Sequence, residues 1–214
     1  MMARTRHRAL ATGRIDPPQK ALPLITGLIV SALSLAWMLH PFCFLFGLVG
    51  IIASAIWRKS ISCTFLGMVA GCSPVLIGWF AVRPAFDTQI LLLCCLVAIW
   101  TPIHVWSAMI ANREDYLGAG LDYFPLRWQV KDVVRILFGL SILLYLAAIA
   151  IYLTTDFHSL YFVIANILGI LMICANAHLL SSTASTAAWR VYKLSAFPYL
   201  GIIFATMCLD IWLV

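Results

Sequence analysis

Seven long apolar stretches alternate along the chain with polar connections, and most approach the roughly 20 residues that a helix needs to cross a bilayer. None of them alternates with a period of two, the pattern typical of membrane strands. The pattern therefore predicts an all-α, polytopic transmembrane helical bundle of about seven spans, in a single domain over residues 1–214. The predicted spans are residues 22–39, 42–57, 61–82, 88–111, 134–154, 160–180 and 195–213.

Composition excludes a water-soluble globular domain. Hydrophobic residues make up 64% of the chain and charged residues only 10%, whereas soluble domains carry about 25% charged residues. The formal net charge is +6, but the basic residues are distributed among the connections instead of forming one patch. We therefore expect the chain to lie in the lipid bilayer and not to bind nucleic acid.

The basic residues also predict an orientation. Of the 14 Lys and Arg residues, all except Arg83 lie in the N-terminal segment and in the second, fourth and sixth connections. These regions share one side of a seven-span bundle, and basic connections usually face the cytoplasm. We expect a multi-pass protein of the cell membrane, with the N-terminus and the active-site loops in the cytoplasm.

The fourth connection contains the residues best suited to chemistry. Glu114 and Asp115 are adjacent carboxylates beside Arg113 at the end of the fourth span. Mg²⁺ prefers oxygen ligands and is often bound by one or two carboxylates together with substrate phosphates. Arg4, Arg8 and Arg14 are expected on the same side and could pair with phosphate oxygens. This group is a candidate site for Mg²⁺ and a diphosphate.

A simpler interpretation stays open at this stage. Charged residues at the ends of membrane helices commonly serve as solvated anchors. A single histidine such as His104 commonly forms a packing hydrogen bond instead of binding a ligand. Residue types and spacing alone do not decide between these two interpretations.

Motifs lie along nearly the whole chain, in Met2 to Ile15, Gly71 to Trp79, Trp100 to Trp106 and Arg113 to Pro125, followed by Arg190, Ser195, Tyr199 and Asp210. These motifs resemble those of the UbiA prenyltransferase superfamily and, within it, of the protoheme IX farnesyltransferases, also called heme O synthases. Thr101 replaces the glutamine usual in one motif, and Asp122-Tyr123 stands where Pro-Met is usual.

The resemblance implies a membrane enzyme that transfers a farnesyl group from farnesyl diphosphate to a vinyl group of protoheme IX, with Mg²⁺ as cofactor. It assigns the catalytic and metal-binding roles to Asp115 and Glu114. It assigns the diphosphate contacts to Arg4, Arg8, Arg14 and Arg113. It places four residues near the acceptor, namely His104, Trp106, Trp100 and Tyr116.

One expected motif does not occur in this chain. The family's first acidic motif, N-x-x-x-D-x-x-x-D, precedes the segment with which this sequence begins, as do two further helices. A start codon assigned too far downstream, a split enzyme and a degenerate remnant would each explain this, and the intact later motifs favour the first. Two alternative functions stay open: the substitutions at Thr101 and Asp122-Tyr123 allow a UbiA enzyme with another acceptor, and the missing motif allows a non-catalytic or incomplete membrane partner subunit.

Overall fold

The computed structural model describes residues 12–14, 16–56, 63–120 and 124–213, and these residues form helices, turns and no strand. Arg4 and Arg8 lie outside the described residues. A short 3₁₀ turn, Pro18–Ala21, precedes the first helix. The helices are α1 Leu22–Leu39, α2 Pro41–Ile56, α3 Cys63–Val82, α4 Thr88–Ala111, α5 Arg113–Gly118, α6 Val130–Thr154, α7 Ser159–Ser182, α8 Ser185–Leu194 and α9 Leu200–Trp212.

The all-α membrane fold predicted from the sequence is confirmed. Each of the seven apolar windows coincides with a helix. In the described part of the chain, six helical segments are long and apolar enough to span a membrane, while α2, with 16 residues, is shorter. The last of the six runs from Ser185 to Trp212 and so joins α8 to α9, whereas the predicted span starts at residue 195.

Neighbouring helices pack in chain order, and α4 has the most central place. It contacts α3 and α6 along its sides and α8 at its C-terminal half. The large buried core lies among α4, α6, α7, α8 and α9. A smaller cluster around Phe80 joins α1, α2 and α3, and most of the apolar surface of α1 is exposed. This exposed apolar surface is suited to contact with lipid. The large core, which can hold a site rigidly, therefore lies mainly in the second half of the chain.

Helix α8 lies antiparallel along the C-terminal half of α4. At one end, the hydroxyl of Ser185 donates to the carbonyl of Ala111, with an O–O distance of 2.8 Å. At the other end, the indole Nε1 of Trp100 donates to the carbonyl of Ser195 at 2.6 Å. Small side chains allow this close approach, since Ala187 and Ala188 are buried in the contact.

A kink at Ser195–Tyr199 separates α8 from α9. This segment is a π-helical turn, Ala196 departs from helical geometry with ψ −133°, and Pro198 lies inside it. Proline has no N–H to donate, so a kink of this kind alters the regular backbone pairing. The Trp100 bond supplies a donor to one carbonyl of the kinked segment, which explains the need for an indole at this position.

A buried carboxylate fixes the opposite end of the bundle. Asp210 of α9 is 2% exposed and accepts hydrogen bonds from the backbone N–H groups of His158 and Tyr161 at the start of α7. Backbone N–H groups at a helix N-terminus favour a negative charge. Asp210 therefore attaches α9 to α7 across residues distant in sequence.

We expect Asp210→Ala to lower the free energy of unfolding by about 1–3 kcal/mol, because it leaves two backbone donors without their acceptor. Asp156→Ala is the matched control, since Asp156 is exposed in the neighbouring connection. Reversible denaturation in detergent micelles measures both. Equal unfolding midpoints for the two variants would contradict this role of Asp210.

We expect Trp100→Phe to destabilise the protein by about 1–3 kcal/mol as well, because the Ser195 carbonyl loses its indole donor while the aromatic volume is largely kept. Trp212→Phe provides the control, as Trp212 is 83% exposed near the end of α9. Thermal unfolding in the same detergent reports the difference. A Trp100→Phe protein as stable as the control would show that this hydrogen bond does not hold the kink.

Candidate functional site

A cavity of about 560 Å³ opens where α4 ends and α5 and α8 begin. It contains both predicted carboxylates and one of the predicted arginines. The structure thus brings Arg113, Glu114 and Asp115 together, as the sequence predicts. The described residues that line it are Ile110, Ala111, Asn112, Arg113, Glu114, Asp115 and Ser185. We call it the carboxylate cavity.

Asn112 sets the direction of the chain at this cavity. Its backbone leaves helical geometry with φ −119° and ψ 29°, and its side-chain Nδ2 donates to the carbonyl of Ala108 at 2.7 Å. The chain then starts α5, whose first turn contains Glu114 and Asp115. Gly120 follows with φ +77°, a conformation that glycine adopts without steric cost. Both carboxylates are therefore held between two defined turns.

Arg113 connects α5 to the following turn. Its Nη2 donates to the carbonyl of Leu126 at 2.9 Å, and Leu126 is 2% exposed. A guanidinium has five N–H donors, so one such bond leaves donors for an anion. Arg113 can therefore fix the loop and still contact a diphosphate. Arg14 is described and exposed, but it is not among the described residues that line the carboxylate cavity.

A column of stacked rings lies between α4 and α8. The rings of Trp100 and His104 are 4.8 Å apart with an interplanar angle of 12°. The rings of His104 and Tyr192 are also 4.8 Å apart, at 29°. On the α8 side, the rings of Trp189 and Tyr192 meet edge to face at 5.2 Å. Four aromatic side chains therefore form a continuous series of ring contacts that joins α4 to α8.

A contact with Ser195 orients the ring of His104. The single hydroxyl hydrogen of Ser195 is donated to the carbonyl of Tyr192 at 2.9 Å, and Nδ1 of His104 lies 3.1 Å from the same hydroxyl oxygen. These contacts hold the imidazole ring beside Ser195. A neutral imidazole has one ring nitrogen with a lone pair that can accept a proton.

Trp106 contacts residues other than those of the ring column. Its Nε1 donates to the hydroxyl of Thr64 on α3 at 2.9 Å, and its ring meets Phe124 edge to face at 4.7 Å. His104 and Trp106 are two residues apart, which places them on nearly opposite sides of a helix. Tyr116 of α5 is partly buried against the large core. Trp100, Trp106 and Tyr116 thus share the large core, while His104 stacks on Trp100 on the side of α4 away from Trp106.

Tyr192, Ser185 and Phe124 contribute to these contacts, although the sequence motifs predicted no role for them. For α8, a signal existed: Ala187, Ala188 and Val191 recur at helical spacing between polar residues, a pattern typical of an amphipathic helix. That pattern would have predicted α8 itself. Phe124 carries no such signal, because its position depends on the turn that follows α5.

The carboxylate cavity supplies some of the oxygen ligands that the predicted Mg²⁺ needs. Among the described residues, no group of three or more His, Cys, Asp or Glu side chains is arranged to hold a metal ion. Glu114 and Asp115 nevertheless line one polar cavity beside Arg113. Two carboxylates with room for water and phosphate oxygens match the way Mg²⁺ binds in phosphate sites. The donor chemistry therefore fits Mg²⁺ bound jointly by protein and diphosphate.

Known proteins resemble this chain over nearly its whole length. The model of the UbiA prenyltransferase family matches residues 1–200. The protoheme IX farnesyltransferase of Desulforudis audaxviator is 31% identical over 99% of this chain and 68% of its own length. That of Symbiobacterium thermophilum is 32% identical over 99% of this chain and 73% of its own.

The fold has a solved counterpart. A structure described as "Structural and mechanistic insights into the biosynthesis of Digeranylgeranylglyceryl phosphate synthase in membranes" matches with a TM-score of 0.75. The match covers 94% of this chain and 77% of the solved chain at 15% identity, which bears on the fold alone. From the family match and the farnesyltransferase relatives, we conclude that the chain belongs to the UbiA prenyltransferase family.

Proposed function

We propose that this protein transfers the farnesyl group of farnesyl diphosphate to a vinyl group of protoheme IX and so produces heme O. The observation that carries the proposal is the carboxylate cavity, with Arg113, Glu114 and Asp115 on its wall. Relatives named protoheme IX farnesyltransferase, similar over 99% of this chain, support the choice of substrates.

The reaction needs a site that stabilises a departing diphosphate. Mg²⁺, when bound, would neutralise part of the charge that develops on the leaving group. Glu114 and Asp115 would hold the ion, and Arg113 with Arg4, Arg8 and Arg14 would contact the phosphate oxygens. Donors and charges fixed in advance where charge develops are among the largest contributions to catalysis.

Bond changes at the two substrates then balance as follows. The C–O bond of farnesyl diphosphate breaks, and the terminal vinyl carbon of protoheme forms a bond to the farnesyl carbon. Water adds to the inner vinyl carbon and loses a proton, leaving a hydroxyethylfarnesyl group and diphosphate. The aromatic face of Trp100, which stacks on His104, would stabilise positive charge near the acceptor. The neutral imidazole of His104 would receive the released proton.

The prenyl chain also needs an apolar, water-poor space. A groove of about 790 Å³ lies among α1, α2 and α3, and its described lining is almost wholly apolar. Gly78 adds open space to this groove, because a Cβ at this position would meet no neighbouring atom within 4 Å. Gly50 has another role, since its missing side chain lets α2 approach Ser73 of α3 closely. Apolar walls would protect an allylic cation from capture by water. We propose this groove as the place of the farnesyl tail.

The protein has several apolar helices long enough to cross a membrane. We propose that it lies in the cell membrane with the carboxylate cavity toward the cytoplasm. The distribution of basic residues supports this orientation, and soluble farnesyl diphosphate would then reach the cavity from the cytoplasm.

We expect Asp115→Asn and Glu114→Gln to reduce heme O formation by about 100-fold or more, because each removes a charge needed to balance the diphosphate. Membranes containing each variant are supplied with protoheme, farnesyl diphosphate and increasing Mg²⁺, and the pigments are extracted and quantified. Asp132→Asn is the control, since this carboxylate pairs with Arg135 at 3.0 Å near the start of α6.

Two results would contradict the proposal at different levels. Unchanged activity of Asp115→Asn would remove the carboxylate cavity from the reaction. Formation of another prenylated product without any rise in heme O would retain a prenyltransferase and reject protoheme as the acceptor.

A further inference from the structure

The exposed face of α8 forms a second cavity, of about 450 Å³, at the same end of the bundle as the carboxylate cavity. Its described lining consists of Thr186, Trp189, Arg190 and Lys193. These positions follow helical spacing and so form one stripe. Ala187, Ala188 and Val191 are buried on the opposite side. We call the cavity lined by this stripe the cationic pocket.

The charge of this pocket is not neutralised by the protein. Neither Arg190 nor Lys193 forms an ion pair with another of the residues that the structure describes. The described lining contains no carboxylate either. Two cations three residues apart on one helix repel each other slightly, and a ligand with two negative groups would relieve that repulsion. The cationic pocket is therefore complementary to a ligand with two negative groups on one edge.

An aromatic surface leads from this pocket toward α4. Trp189 lines the pocket and contacts Tyr192 edge to face. Tyr192 stacks on His104, which stacks on Trp100. A flat, apolar ligand with a charged edge matches such a surface, because its rings can pack on aromatic faces while its charges meet Arg190 and Lys193.

Helix α8 also relates the two cavities in space. Ser185 lines the carboxylate cavity and Lys193 lines the cationic pocket. Eight residues of α-helix separate them by about 12 Å. This separation is comparable with the width of a porphyrin ring. Protoheme has both propionates on one edge and its vinyl groups away from that edge, so a single molecule could reach both cavities.

We propose that Arg190 and Lys193 bind the two propionates of protoheme and thereby direct a vinyl group toward the carboxylate cavity. This inference rests on the proposed function, because it assumes protoheme as the acceptor. It makes α8 the element that selects and orients the acceptor. Anionic lipid headgroups share the required charge, so the test must separate lipid from propionate.

Binding is measured without turnover. The full chain is placed in nanodiscs of phosphatidylcholine and titrated with protoheme IX and, separately, with protoheme dimethyl ester, whose propionates carry no charge. Changes in heme absorbance, corrected with empty nanodiscs, give each affinity. The loss of charge-assisted hydrogen bonds predicts an affinity for the ester at least about tenfold weaker than that for protoheme.

The double variant Arg190→Gln, Lys193→Gln should bind protoheme at least about tenfold more weakly and lose most of the preference over the ester. Arg190→Lys with Lys193→Arg keeps both charges and should keep the preference. Lys131→Gln is the matched control, since Lys131 is an exposed cation at the start of α6, and it should behave like the unmodified protein.

A preference for protoheme over its ester that survives in the double variant would overturn the proposal. It would also be overturned if the double variant differs from the unmodified protein only in nanodiscs that contain phosphatidylglycerol, because α8 would then bind lipid headgroups. Asp115→Asn should retain the preference. If the unmodified protein binds protoheme through its propionates but forms no heme O, the proposed reaction is rejected and this binding site is supported. The two failures are therefore distinguishable.

Discussion

The packing of α8 along α4 is the contact on which the geometry of the candidate site depends. Ser185 attaches one end of α8 to Ala111, and Trp100 attaches the kinked segment beyond its other end. Between these bonds, Tyr192 stacks on His104. A displacement of α8 would remove a wall of the carboxylate cavity and separate the ring stack at the same time. Local side-chain chemistry therefore depends on one helix–helix interface.

That interface combines features that the bilayer requires. Regular backbone pairing changes at a proline kink, and few water molecules are available within a membrane to compensate. At the kink, the chain meets this need with an indole donor from a neighbouring helix. At the opposite end of the bundle, Asp210 of α9 accepts hydrogen bonds from backbone N–H groups at the start of α7. Because these bonds join residues far apart in sequence, they also fix the relative positions of α4, α7 and α9.

The fold could be predicted from the sequence because hydropathy dominates in a bilayer. All seven apolar windows became helices, and Glu114 with Asp115 could be recognised because charge is rare in this chain. α8 was missed because its residues lie in the polar connection between two predicted spans, although its small apolar residues recur at helical spacing. The separation of His104 from Trp106 follows from helical geometry, yet their shared motif suggested a single pocket. Partners such as Thr64 and Tyr192 depend on helix packing that one sequence does not reveal.

The two cavities that meet α8 differ in the sign of their charge. The carboxylate cavity combines acids with Arg113 and so can bind a metal ion and an anion together. The cationic pocket has basic side chains without a described counter-charge. A substrate with anionic groups on one edge would be repelled from Glu114 and Asp115 and attracted toward Arg190 and Lys193. Attraction at one end and repulsion at the other specify a single orientation more strongly than either alone, and α8 imposes both because it is a rigid helix that lines both cavities.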